Sequence, residues 1–339
     1  MATFVRTQEV DHAIGPDGRF VLRVTSPDVE LRSSDGDVAR VRVEFEIRVA
    51  SDAHADEAFD AIKFNVHRGP DVLELTEPKR GSSGLGTIAG ILGIGSSRVE
   101  ARVVAELPRH ASVSFQGVSA DLVAIGLRGT QEYRTVSGDL VLNDLGGSIT
   151  LNGVSSDISL RADEPISLRA NTVSGDLSIV APRFEEARVV TVSGDVELEG
   201  DLGRDLPHRL ETVSGDLSLG VVGGLTLEVR GLSSDVHVGV AHRSEGSRDR
   251  RRYVIGDGAS KVQFSSMSGD VHVRAARRVA PPAPPTPPTP PTPAMPPTPP
   301  RQPQQLGDEE QLEVLRALER GEIDIEEAQR RLAGESTNG

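Results

Sequence analysis

A six-residue phrase, Thr-Val-Ser-Gly-Asp-Leu or a near variant, recurs along this chain with its aspartate at 121, 139, 157, 176, 195, 216, 235 and 270. Successive copies lie 18, 18, 19, 19, 21, 19 and 35 residues apart. A unit this short cannot enclose a core of its own, so the copies must stack and bury one another's apolar faces. Each copy alternates with a period of two, the signature of strands. The alternation reads Val136, Gly138, Leu140 and Leu142 onto one face, and likewise Val173, Gly175, Leu177 and Ile179, then Val192, Gly194, Val196 and Leu198, then Val213, Gly215, Leu217 and Leu219. That face is the expected core, with Thr135, Ser137 and Asp139 on the opposite, solvent side. Eighteen to twenty-one residues hold two or three short strands with tight turns, for which Leu145-Gly146-Gly147 and Leu151-Asn152-Gly153 are the candidates. The expected fold is mainly β: a single-stranded right-handed β-helix, or β-solenoid, of about 18–20 residues per rung.

Composition agrees with a narrow stacked coil. Among 339 residues only 3% are aromatic and tryptophan is missing, so small aliphatic side chains must fill the interior. A formal charge of -14 excludes nucleic acid as a general partner, because phosphate binding needs a basic field. With no cysteine there are neither disulfides nor thiolate metal sites. The start, MATFVRTQEV, lacks the charged leader and apolar run of a signal peptide, and no stretch of 18 apolar residues occurs. The expectation is a cytoplasmic chain without a transmembrane span, with peripheral membrane contact left open.

Four regions separate. Residues 1–110 form a β region that caps or begins the solenoid, with strands expected at Phe20 to Thr25, Val38 to Val49, Asp71 to Thr76 and Val99 to Leu107 and a helix at Ala55 to Phe64. Its Ser33-Ser34-Asp35-Gly36-Asp37-Val38 reads as a degenerate copy of the repeat. Residues 111–278 are the repeat array. Residues 279–305 carry PPAPPTPPTPPTPAMPPTPP, an extended polyproline linker. Residues 306–339 return to helical periodicity: Leu312, Leu315 and Leu318 form one stripe, Gly321 ends it, and Ile325 and Leu332 belong to a second helix. A helical hairpin this small needs a partner, so it is read as an oligomerisation module and the chain as a homo-oligomer.

Chemistry is harder to find. A hydrolase triad needs one serine, one histidine and one acid converging, whereas the aspartates sit on successive rungs and the eight histidines are scattered. No catalytic residue and no cofactor is expected. Stacking would align Asp139, Asp157, Asp176, Asp195, Asp216 and Asp235 in a column, a candidate cation ladder; hydrogen bonding of each aspartate to its own turn is the alternative relief for the repulsion. His237 and His272 hold equivalent positions and would meet on adjacent rungs if Ala241 to Gln263 loops out. That insertion carries Arg243, Arg248, Arg250, Arg251 and Arg252. Between two strands, GSSGLGTIAGILGIGSS places Leu85, Ile88, Ile91, Leu92 and Ile94 in an apolar loop that either packs on the array or inserts into a partner or membrane surface.

The repeated phrase, with the Gly18 to Val49 stretch, resembles a bacterial family of unknown function known as candidate-adhesin β-strand repeat proteins, over about residues 10 to 275. The segment LEVLRALERGEIDIEEAQRRL is similar to the two-helix oligomerisation module called SHOCT. These resemblances imply a β-helix-like fold, no catalytic residues to carry over, and for some relatives a part in cell-envelope stress sensing. The sequence therefore points to a non-enzymatic interaction scaffold that binds a protein or envelope component and is multimerised by its C-terminal helices. A regulatory envelope-stress component is the alternative and a carbohydrate-active β-helix enzyme the lesser one.

Overall fold

A computed structural model describes residues 2–78, 99–233, 235–247 and 250–276. The chain divides into two units, Met1–Val279 and Ala280–Gly339, and the described residues fall in the first. The architecture is mainly β, with one helix among the described residues. Parallel pairing builds two ladders. The segment preceding each Ser-Gly-Asp corner pairs with its counterparts, as Tyr133 does with Phe115 and Leu151, and the segment after the corner pairs with its own, as Leu142 does with Ala124 and Leu160. Strands Leu140–Ser155, Ile158–Ser174 and Leu177–Ser193 run from the second face of one rung into the first face of the next. Each rung thus has two faces. The second bend shows in the ladder as register shifts around Leu145, where Asp144 (φ 52°) and Gly147 (φ 82°) turn the chain. Leu151-Asn152-Gly153, expected as a turn, lies within a strand. Gly153 is small there because a Cβ would meet the Ser156 hydroxyl.

The expected alternation fails at the corner. Thr135 is 4% exposed and Val136 48%, and the same inversion recurs at Thr191 (2%) and Val192 (45%). Leu140, five residues after the inward Thr135, is also buried, so the phase slips once between them. Gly138, at φ 109°, makes the slip, in a region of backbone space that only glycine enters readily. The inward threonine uses its hydroxyl on the turn: Thr135 Oγ1 donates to the Ser137 carbonyl at 2.9 Å and Thr191 Oγ1 to that of Ser193 at 3.3 Å. Valine could fill that space but not bond there.

Both ends of the coil are stitched back on themselves. At the N-terminal end, Arg19–Arg23 lies between Val72–Thr76 and Ser112–Ser119, and Asp28–Ser34 between Val99–Pro108 and Leu122–Ile125, so the second rung in sequence is the outermost. At the other end Ser260–Ser268 lies between His208–Ser214 and Leu225–Ser233, while Val271–Ala275 lies between Leu217–Val221 and Val236–Val238. The last rung in sequence is therefore the penultimate one in space. Antiparallel strands cover most of the exposed edges. Val38–Val49 pairs with Val99–Pro108 and carries Ala2–Ala13, and Asn65–Arg68 covers Val72–Thr76. The insertion folds as a hairpin, His242–Ser247 with Arg250–Ile255, against Leu225–Ser233. The expected N-terminal repeat copy at Ser33 to Val38 is displaced: Val29 pairs with Leu122, so Pro27-Asp28-Val29 takes the corner register.

Helix Asp52–Ile62 starts at Ser51, whose hydroxyl accepts the His54 amide, and packs Phe59 edge-on against Phe45 with ring centroids 5.5 Å apart. Between rungs, His208 is fully buried. Its Nδ1 accepts the Ala187 amide at 3.1 Å, which leaves Nε2 to donate to the Gly203 carbonyl at 3.0 Å. Burial pushes this imidazole below the ordinary histidine range, against the opposing pull of the Gly203 carbonyl and of Glu186, Asp201 and Glu185.

Two outcomes are expected. Gly194, at φ 119°, would drive a Cβ into the Gly175 carbonyl, so Gly194→Ala should lose about 3 kcal/mol in urea unfolding. His208 is held neutral in the fold while the unfolded chain protonates near 6.5, so its share of stability is complete above that pH and declines as pH falls through it toward the lowered folded value. Melting followed from pH 8 to 5.5 should show a drop for the wild type that is smaller in His208→Gln.

Candidate functional site

The repeated phrase forms a corner, and the corner joins one rung to the next. Asp195 donates its backbone N–H to Asp176 Oδ1 at 2.8 Å, and the Asp195 carbonyl accepts the Leu177 N–H at 2.9 Å. The same side-chain bond links Asp139 to Asp121, Asp176 to Asp157, Asp216 to Asp195, Asp270 to Asp216 and Asp235 to Asp270, at 2.8–2.9 Å. Asp139 and Asp157, among the described residues, lack it and are joined by Leu140 N–H to Asp157 O at 3.0 Å. The carboxylates proposed as a cation ladder thus stand in a column, and Asp157, Asp176, Asp195 and Asp216 each accept on Oδ1 a backbone amide supplied by the next rung rather than by the residue's own turn. Their order in space is 216, 270, 235, because of the stitched end.

Three rows run outward along this edge. The aspartates form one and the serines another, with Ser137 paired to Ser119 and Ser155, and Ser214 to Ser193 and Ser268. The third is the row of outward valines. On the flat face before the corner, Arg169, Arg188 and Arg209 occupy successive rungs in register. Arg188 pairs with Glu186 and Arg209 with Glu211 at 3.8 Å, while Arg169 has no ion pair among the described residues. This arginine column on an acidic chain is a feature that composition conceals; it becomes visible only once the 19- and 21-residue spacings are laid in register.

His237 and His272 do sit on adjacent rungs, ring centroids 6.1 Å apart. Among the described residues no cluster of three or more His, Cys, Asp or Glu could hold a metal ion. The Arg274 guanidinium binds Glu199 at 2.8 Å and Glu197 at 2.6 Å, and these two carboxylates hold its pKa above the ordinary arginine value. In the inserted hairpin Arg252 lies opposite Glu228 and Glu245, so the basic cluster is partly matched by acids. Tyr133 is fully buried; its hydroxyl donates to Gln131 Oε1 at 2.8 Å and burial raises its pKa. Leu85, Ile88, Ile91, Leu92 and Ile94, and Leu312, Leu315, Leu318, Ile325 and Leu332, lie outside the described residues. No described helix is long and apolar enough to cross a membrane.

A family model described as Toastrack DUF4097 matches residues 17–274. Similar solved structures include a candidate lipid-binding protein from Parabacteroides distasonis, 13% identical with a TM-score of 0.45, covering 79% of this chain and 96% of the other. A candidate cell-adhesion protein from Clostridium sporogenes is 10% identical with a TM-score of 0.25, covering 79% and 99%. A candidate adhesin from Bacteroides fragilis is 11% identical with a TM-score of 0.32, covering 79% and 97%. Likenesses this distant carry no weight on activity. No curated protein matches the chain.

If the aspartates act as acceptors for backbone amides, Asp195→Asn keeps a suitable oxygen and should unfold in urea close to wild type, while Asp195→Ala should lose about 1–3 kcal/mol. A cation ladder would reverse the pattern, with Asn as damaging as Ala once calcium is present.

Proposed function

The chain belongs to the Toastrack DUF4097 family, and on that premise we propose that it is a non-enzymatic interaction scaffold, a β-solenoid that presents one repeated surface to a protein or envelope component. The observation that carries this reading is the division of labour at the corner. The four corners that carry the full phrase turn Thr135, Thr172, Thr191 and Thr212 and the aliphatic residue after the aspartate inward and turn valine, serine and aspartate outward, and the corners at Asp121, Asp157 and Asp270 keep the outward serine and aspartate, so the same outward pattern is displayed again and again. An active site would instead draw unlike groups to one point. The column Arg169, Arg188 and Arg209 suits a partner bearing carboxylates or phosphates at short regular intervals, since guanidinium groups bind either in paired geometry.

Residues 279–305 act in this reading as a stiff spacer, reaching roughly 80 Å at about 3.1 Å per residue. Residues 306–339 serve as the self-associating hairpin, through Leu312, Leu315, Leu318, Ile325 and Leu332. Linking several solenoids this way would raise weak face contacts by about two to four orders of magnitude through avidity.

The test compares three chains by affinity capture from the native host and by light scattering: the full chain, one lacking residues 306–339, and Arg169→Ser/Arg188→Ser/Arg209→Ser. The truncated chain should be a smaller oligomer and should retain its partner at least about tenfold more weakly. The triple variant should keep the full-length mass and lose the partner. An unchanged mass on truncation, or retention indifferent to the arginines, would count against the scaffold.

A further inference from the structure

Val118, Val136, Val154, Val173, Val192 and Val213 stand outward on six successive rungs, and Met267 continues the row on the seventh. The valines are 43–48% exposed and Met267 is 57% exposed. At about 4.8 Å per rung the row is a ridge about 29 Å long and one side chain wide. Strand preference does not require it. The next outward row on the same strands, two residues earlier, takes Gln116, Arg134, Asn152, Asn171, Val190, Glu211 and Ser265, so the coil accepts polar side chains at equivalent sites. Nor does the interior use it, because the core is filled by the inward residues. Contiguous exposed apolar surface of this regularity marks contact with another molecule.

We infer that the ridge is a self-association surface, occupied by the same ridge of a second copy of this chain. Pitch is the main argument. An extended peptide lying along the ridge would present side chains to it about every 6.8 Å and fall out of step with teeth about 4.8 Å apart within a few residues. A second coil of this chain has the same spacing and can stay in step over all seven rungs. Charge is the second argument. The rows that border the ridge are serines on one side and mostly Gln, Asn and Ser on the other, so two ridges can meet without burying a column of like charges. A two-fold axis along the ridge also sets the two aspartate rows on opposite sides of the contact. The ridge lies four residues along the strands from the arginine column, with one mostly polar row between them, and is built from none of the same residues.

The absence of cysteine makes the test clean. Val173 is the fourth of the seven teeth, and under any two-fold arrangement centred on the ridge it meets its own mate. Full-length chain carrying Val173→Cys should form covalent dimers under mild oxidation or with a short bismaleimide at least about tenfold faster than chain carrying Ser178→Cys, which is exposed on the other face. Any association through the tail raises the local concentration in both, so their ratio isolates the ridge. Adding Val136→Ser, Val154→Ser, Val192→Ser and Val213→Ser to Val173→Cys should bring the rate down to that of the control. A single-tooth pair, Val136→Ser with Val173→Cys, should give a rate in between and guards against a misfolded quadruple variant. Rising salt should speed the reaction, because it screens repulsion between chains of charge -14. Equal rates for Val173→Cys and Ser178→Cys, a rate unmoved by the serine substitutions, or a rate that falls with salt would each overturn the inference. Partner capture by the arginine face can succeed or fail independently of all three.

Discussion

The fold rests on how closely one corner approaches the next. A Cβ on Gly175, Gly194, Gly215 or Gly269 would run into the carbonyl of the preceding corner, so the rungs reach their spacing only because these residues have no side chain. The same residue admits the positive φ that turns the chain and shifts its phase. Aspartate completes the joint. With its amide donating to one rung and its carboxylate accepting from the next, the corner satisfies backbone groups that a turn would otherwise leave unpaired. Threonine is drawn inward for a related reason, since its hydroxyl reaches the serine carbonyl. One geometric requirement, repeated, therefore dictates four of the six residues in the phrase: Thr, Gly, Asp and the inward Leu.

A column of such joints solves the interior of the stack and leaves its ends exposed, and the chain resolves this by changing the order of its rungs. The last rung in sequence is inserted beneath the one made before it, so the outermost strand Leu225–Ser233 is held from one side by Ser260–Ser268 and from the other by the hairpin strand Arg250–Ile255. A terminal rung held only by its neighbour would fray, because it has lost half of its hydrogen bonds. Held on both sides, it shares the fate of the interior. The N-terminal end uses the same device, with Val99–Pro108 covered by Val38–Val49. These contacts join residues far apart in sequence, and pairings of that kind carry a larger loop-closure cost than laying one rung on the next.

Much of this was legible in the chain. Aspartate spacing gives the rung, the alternation after each corner gives the buried Leu140, Leu142, Leu177 and Ile179, and strand Val38–Val49 falls where its alternation puts it. What was hidden has definite physical causes. Alternation cannot reveal a phase slip, because a glycine at positive φ looks in sequence like any other, and so Val136 and Thr135 exchange sides. Chain order cannot reveal stitching: the 35-residue interval before Asp270 reads as a loop between neighbours, although Asp270 precedes Asp235 in space. At the other end Ser26-Pro27-Asp28-Val29 keeps the serine but has proline in place of glycine, with Val24 in place of the threonine, and only its pairing with Leu122 places it in the corner register. The arginine column was hidden by rung lengths that vary from 19 to 21 residues.

Separating the residues that hold the coil from those that only face outward narrows where function can lie. Threonine, glycine, aspartate and the inward aliphatics answer to packing and hydrogen bonding, and their repetition needs no ligand to explain it. The outward serine at each corner has a modest structural use, as where Ser137 Oγ donates to the Val118 carbonyl at 3.2 Å. The outward valine has none: its side chain makes no hydrogen bond, half of its surface meets water, and adjacent outward rows show that the strand tolerates polar residues instead. A residue kept apolar at six successive corners, at a position where folding does not demand it and solvent disfavours it, is accounted for by what it touches outside the chain.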